Sequence, residues 1–329
     1  MKKFISITLC ILLTITLCSC SRGFERFNKS YTDLFDTVCS VVAYDSDQKS
    51  FDKHSEALYN ELDSYNKLYD IYNSYDDLVN IKYINENAAK APVKADKKII
   101  DLLLFSKEMY ELTEGAVNIC LGSVLQIWHS YREEGKALPK ESELKDASKH
   151  CDIDDLIINK KASTVYFNDK KMQLDVGAIA KGYAAEQAKA FAKEFWSSAL
   201  INLGGNVTTW GVKPGGARWI VEIENPDRSA TEALRTVDVV DSSVVTSGDY
   251  QRYYEVDGKR YCHIIDEKTL YPADGFSGVT VIYEDSAVAD ALSTALFILP
   301  IEEGKKIINS LKYARAVWVD KDYNIINSK

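Results

Sequence analysis

The fold class this sequence predicts is α+β, one domain built on a large, mostly antiparallel sheet with packed helices. Three observations carry the prediction. The 329 residues are 46% hydrophobic and 27% charged, which is enough apolar mass for a full core. Helical spacings crowd the first half, to about residue 132, whereas short strand-like runs dominate from residue 153 onward. Elements are therefore segregated more than alternated, unlike a doubly wound parallel sheet. No repeat, low-complexity tract or interior linker divides residues 31–329.

Taken in order, the first twenty residues differ from the rest. Lys2 and Lys3 precede an apolar run from Phe4 to Leu17. At about 1.5 Å per helical residue that run is too short to span a hydrocarbon core of about 30 Å comfortably, and it fits the apolar region of a secretory signal. It ends in Leu17-Cys18-Ser19-Cys20, which resembles a bacterial lipobox. Residues 1–19 are thus expected to be removed, Cys20 lipidated, and residues 20–30 left as a polar tether. The domain would then sit outside the cytoplasm, held to a membrane by its lipid. An ordinary secretory signal is the alternative.

Loss of Lys2 and Lys3 takes the net charge from −9 to about −11. No basic run remains, which argues against nucleic acid and against electrostatic docking on acidic lipids. Cys39, Cys120, Cys151 and Cys262 are scattered without a CxxC pair, so buried thiols are expected rather than disulfides or a zinc knuckle.

Within the domain, "TVCSVVAY" (37–44) reads as a strand. A helix over roughly 51–69 follows, with Leu58, Leu62, Tyr65 and Tyr69 at helical spacing. "YDIYNSYDDL" offers tyrosines for stacking a planar ligand or for a packed core edge. Helices are expected near 96–113 and 119–132, with "EEGKALPKESE" as a surface loop. "DLIIN", "TVYF", "MQLDV", "SALINL", "ARWIVEI", "SVVTSG", "RYCHII" and "GVTVIY" read as strands, and "VDGK" as a hairpin turn. A helix beginning near 179 interrupts them. Helices over 286–298 and 301–311 and a last strand, "RAVWV", close the chain.

Two stretches suggest chemistry. "DSAVADALSTALFILP" (285–300) is an interior helix that carries Asp290 and, one turn later on the same face, Thr294. A buried carboxylate needs a partner. "LDVGAIAKGYAAE" (174–186) has a strand ending near Asp175, a turn at Gly177, and a helix start. A helix N-terminus suits phosphate, Lys181 would add a full charge, and Ala178, Ala180 and Gly182 permit close approach. An ordinary strand–turn–helix is the plainer reading. "INLGGNV" (201–207) is by itself a turn, and His263 alone would be structural.

Together, "LDVGAIAKGYAAE", "INLGGNV", "VVTSGDYQRYY", "HIIDEKTLYPA" and "DSAVADALSTALF" resemble, in order and spacing, the ApbE family, the FAD:protein FMN transferases. The resemblance runs from about Phe35 to the C-terminus and implies a T-fold-like α+β domain. It implies transfer of FMN from FAD, with release of AMP, to a Thr or Ser hydroxyl of an extracytoplasmic redox protein. The implied metal is Mg²⁺ (with Ca²⁺ or Mn²⁺ as alternatives), held by the Ala178 carbonyl, Asp290 and Thr294. An all-oxygen set suits such cations rather than zinc.

Implied FAD contacts are Phe35, Tyr72, Ala116, Val117, Asn118, Asp175, Lys181 and Ile264, with Tyr75 competing with Tyr72 for the stacking place. His263 matches the histidine needed for transfer, as general base or as positioner. Two alternatives share these residues: an FAD pyrophosphatase giving FMN and AMP, and a flavin-binding lipoprotein without catalysis. The chain departs from the family pattern at Phe35-Asp36 (Met-Gly), Val117-Asn118 (Phe-Asp), Cys262 (His) and Glu267 with Leu270 (Pro and Gly). "DGFSGVT" (274–280) is similar to the motif that the family modifies, which would make Thr280 a self-acceptor; a loop entering a strand is the simpler reading.

Overall fold

The computed structural model describes residues 23–328 except residue 136. The signal segment and Cys20 lie outside the described residues. Alternating strands build the main sheet, whose eight members are antiparallel and lie in the order β1–β2–β6–β7–β10–β13–β14–β15. These are β1 (Glu25–Leu34), β2 (Thr37–Asp45), β6 (Ala199–Leu203), β7 (Asn206–Trp210), β10 (Ser243–Gly248), β13 (Phe276–Tyr283), β14 (Arg315–Asp320) and β15 (Ile325–Asn327). Small sheets are formed by β3 (Val93–Lys94), β4 (Leu156–Asn159) and β5 (Thr164–Phe167), by β8 (Trp219–Ile223) with β9 (Arg235–Val239), and by β11 (Tyr253–Val256) with β12 (Lys259–Cys262). The fold is α+β, as the segregated patterns predict.

The period of two in β2 explains the layers. Cys39, Val41 and Ala43 point into the main core, while Val42 and Tyr44 pack under the β8–β9 ribbon with Trp219 and Val221. The core side is covered by α1 (Gln48–Tyr69), α6 (Ala180–Ala192) and α7 (Ser286–Ile298). Alanines on α6 and α7 let these two helices approach closely, and Gly182 marks the tightest point: a Cβ there would lie 2.5 Å from the Ser286 carbonyl oxygen and overlap the Asp290 side chain. The remaining helices are α2 (Ile81–Asn87), α3 (Lys97–Leu112), α4 (Gly122–Glu134), α5 (Glu141–Ala147) and α8 (Ile301–Ser310). Trp128 of α4, Leu144 of α5 and Tyr254 of β11 share a satellite core. No helix among the described residues is long and apolar enough to cross a membrane.

Several elements differ from the sequence expectation. Glu25–Ser30, expected in the polar tether, belong to β1, an edge strand whose backbone groups on one side pair with β2. "MQLDV" is extended but joins a neighbour only through one parallel bridge, Gln173 to Leu121, so it is not a strand. The expected surface loop 133–143 contributes residues to α4 and α5, because Glu143 reaches back to the Lys140 N–H and supports a helix start. "VDGK" is the hairpin expected: Val256 pairs Lys259, and Asp257 and Gly258 adopt φ of 51° and 76°. The four described cysteines are buried and free.

Candidate active site

A cleft of about 760 Å³ opens where the α6 N-terminus, α4, the β1–β2 turn and the segment after β12 converge. All twelve residues assigned to FAD, metal or transfer from the sequence line it, and Tyr75 does too.

Asp290 stands on α7, whose start is fixed by Asp285 accepting the N–H groups of Ala287 and Val288 at 2.8 and 3.0 Å. It is 5% exposed. Its Oδ2 accepts the Gly182 N–H at 2.7 Å. The buried carboxylate therefore faces the start of α6, a helix with no side-chain cap of its own, and supplies that cap from a neighbouring helix. Burial pushes the Asp290 carboxyl above its usual range, opposed by Lys181 and the Gly182 N–H.

Besides the Gly182 N–H, the Asn206 amide lies beside the Asp290 carboxylate and helps to hold it charged, and Thr294 Oγ1 has only a long 3.4 Å contact with Ser247 Oγ. Asn206, also in the cleft wall, has a buried amide nitrogen with no hydrogen-bond partner. A buried carboxylate without an ion-pair partner among the described residues, a loosely held hydroxyl and the Ala178 turn in the same cleft wall fit a hard divalent cation, which would offset the burial of the charge. Among the described residues no group of three or more His, Cys, Asp or Glu gathers as a metal site, so a thiolate–imidazole centre is not what these residues offer.

Lys181 sits in the first turn of α6 and has no ion-pair partner among the described residues. Asp175 anchors the preceding turn, its Oδ1 accepting the Gly177 N–H at 2.8 Å. Burial raises its pKa, against the pull of Gly177, His129, Arg132 and Arg252.

His263 follows β12, and its Nδ1 lies 3.2 Å from the Arg252 carbonyl oxygen. A carbonyl only accepts, so Nδ1 carries the proton in this contact and Nε2 keeps its lone pair. Burial first, then Lys181 and the arginines 252 and 132, lowers its pKa to about 4.

At the other wall Tyr72 is 49% exposed and its ring lies 5.1 Å from that of His129, whereas Tyr75 is tied to Asp70 by a 2.8 Å hydrogen bond. Tyr72 is the more exposed of the two rings. Asn118 lines the cleft, but its side chain is fully engaged: Nδ2 donates to the Cys151 carbonyl and Glu267, and Oδ1 accepts the Cys120 N–H. Any contact it makes with a ligand is left to its other atoms. Phe35 and Asp36 form the two-residue turn between β1 and β2, with φ of 54° and 52°, and Asn66 accepts the Phe35 N–H at 2.8 Å. Thr280 lies mid-strand in β13, 2% exposed and bonded to Thr246, so it is no accessible self-acceptor.

Sequence reasoning missed the α4 wall. Leu121, Leu125, Trp128, His129 and Arg132 line the cleft. Their three- and four-residue spacing was a legible signal, a stripe ending in two basic side chains that an ordinary core helix does not need.

A fold of this kind is known among flavin transferases of the ApbE type. The chain superposes on a crystal structure of the ApbE protein from Thermotoga maritima with a TM-score of 0.82 and 28% identity, covering 93% of this chain and 97% of that one. The apo flavinyl transferase ApbE of Pseudomonas stutzeri shares the fold at a TM-score of 0.78 and 23% identity. The sequence model of the ApbE family matches residues 35–318, and this chain belongs to that family. It is 30% identical over 284 residues to the FAD:protein FMN transferase of Klebsiella pneumoniae (strain 342), 84% of this chain and 86% of that protein. It is 34% identical over 257 residues to that of Treponema pallidum (strain Nichols), covering 74% and 71%.

Proposed function

We propose that the chain transfers FMN from FAD to a Thr or Ser hydroxyl of an extracytoplasmic protein and releases AMP. One observation carries the reading: Asp290 with Thr294, Lys181 and His263 are drawn from distant parts of the sequence into one cleft of an ApbE fold. In the reaction the acceptor hydroxyl oxygen bonds to the FMN phosphorus, the bond from that phosphorus to the bridging oxygen breaks, and AMP leaves with the electron pair. His263 Nε2, unprotonated at neutral pH, takes the hydroxyl proton. Lys181 and the start of α6 offset the charge on the phosphoryl oxygens. A magnesium ion bound by Asp290, Thr294 and the Ala178 carbonyl would neutralise the pyrophosphate. Export and a lipid anchor at Cys20 complete the proposal and would keep the enzyme beside its acceptor.

The test incubates the chain with FAD, Mg²⁺ and a small domain bearing the acceptor motif, reading intact mass and AMP together. An FMN mass on the acceptor with matching AMP is expected. AMP and free FMN without labelled acceptor would instead support a pyrophosphatase. Intact FAD over hours would leave a binding protein.

A further inference from the structure

Lys189 is buried inside the domain, 6% exposed, and neither of its polar partners, Glu186 and Glu284, is a residue assigned to FAD or the cation. Its Nζ pairs with Glu186 Oε2 at 2.6 Å and donates to the Glu284 carbonyl at 3.0 Å. The same Glu186 Oε2 accepts the N–H of Ser286, the first residue of α7, at 2.8 Å. That N–H has no partner within its own helix.

One turn away on both helices lies the bond from Gly182 to Asp290. Residues 182 and 186 on α6 thus face 290 and 286 on α7. The two contacts lie at equivalent steps of one antiparallel pairing, a single register fixed at two levels. A buried ion pair adds little net stability compared with apolar side chains of similar size, and its best-attested use is to specify register. Slippage of α7 by one residue would carry Asp290 about 1.5 Å along the axis. A magnesium site demands near-ideal geometry and does not tolerate that.

We infer that Glu186 is a positioning residue for cation binding: held in place by Lys189, it ties the start of α7, which Asp285 caps locally, to α6 and so sets Asp290 at the head of the cleft. This rests on the proposed cation site.

The test uses the full-length chain with AMP present and Mn²⁺ as the probe, free Mn²⁺ being read by electron paramagnetic resonance. Wild type should bind, and Asp290→Ala should not. If wild type fails to bind, the cation site and this inference both fall. Two double variants then remove the buried charge pair. Glu186→Gln with Lys189→Met keeps an acceptor for the Ser286 N–H and should hold Kd within about threefold. Glu186→Ala with Lys189→Met removes the acceptor and should raise Kd for Mn²⁺ by about tenfold to a hundredfold, as lost support behind a ligand does. Turnover at saturating cation should stay within about threefold. Wild-type affinity in the alanine pair, or an equal loss in both pairs, overturns the inference while leaving the cation site standing. If the alanine pair does not fold, Glu186→Asp, whose shorter side chain withdraws from Ser286, carries the same expectation and the same refutation.

Discussion

In the proposed reaction Asp290 and Lys181 would act through their charge and His263 as a neutral base, so their removal should separate into distinct effects. Asp290→Ala should abolish cation-dependent turnover. Lys181→Ala should instead raise KM for FAD and lower kcat/KM by about a hundredfold, the scale of one lost charge-stabilising contact. Full activity in both variants, measured by AMP release, would contradict the assignment. The pH profile tests His263. Its folded pKa is lowered, so the neutral base is retained as pH falls, until about pH 4 in the free enzyme. The acid limb of kcat/KM from this group is expected near that value, and that of kcat higher, because a bound pyrophosphate favours the imidazolium. Lys181→Ala should move the kcat/KM limb upward, since Lys181 is the largest charge depressing this histidine.

Among the elements, the crossing of α6 and α7 decides the site. Gly182 has room for nothing larger, with the Ser286 carbonyl and the Asp290 side chain in the path of a Cβ. An alanine there gains about 1 kcal/mol of helix propensity but forces the two helices apart at a cost of about 1–3 kcal/mol. The clash should therefore prevail. Gly182→Ala is expected to lower the denaturant midpoint and to weaken cation binding together; a stabilised variant with unchanged binding would refute the close crossing. The β1–β2 turn is a second decisive element. Its Phe35-Asp36 pair occupies left-handed backbone where such hairpins favour Asn-Gly, and this unusual turn is held at the edge of the cleft by Asn66.

For the molecule as a whole, burial governs the thiols. Burial pushes Cys39 and Cys151 up to about 12 and Cys262 to about 11, and raises Cys120 as well. Thiolates, not thiols, are the nucleophiles. Iodoacetamide at pH 8 should leave these four unmodified in the native protein and label them in denaturant, as read by peptide mass mapping; rapid native labelling would mean that the core opens readily. The proposed lipid anchor is tested by Cys20→Ser, which is expected to release the protein from membranes, whereas persistent membrane association without lipid mass would point to an uncleaved signal.

Local patterns specify the fold class, the helices around Leu58, Asp290 and Gly182 and the hairpin at "VDGK", because periodicity and turn chemistry are written in neighbouring positions, while the candidate residues came from the motifs' resemblance to a family. They do so least well where an element depends on a distant partner. β1 was hidden in an apparently polar tether because only its pairing with β2 makes it a strand, and "MQLDV" has strand character but no neighbour to pair along its length. Tertiary structure alone decided that Asp290 caps α6, that the side chain of Asn118 is spent on the fold, and that Arg132 and His129 face the same cleft as Lys181. These are contacts between residues tens to more than a hundred positions apart, and their energies come from burial and charge that no local window contains.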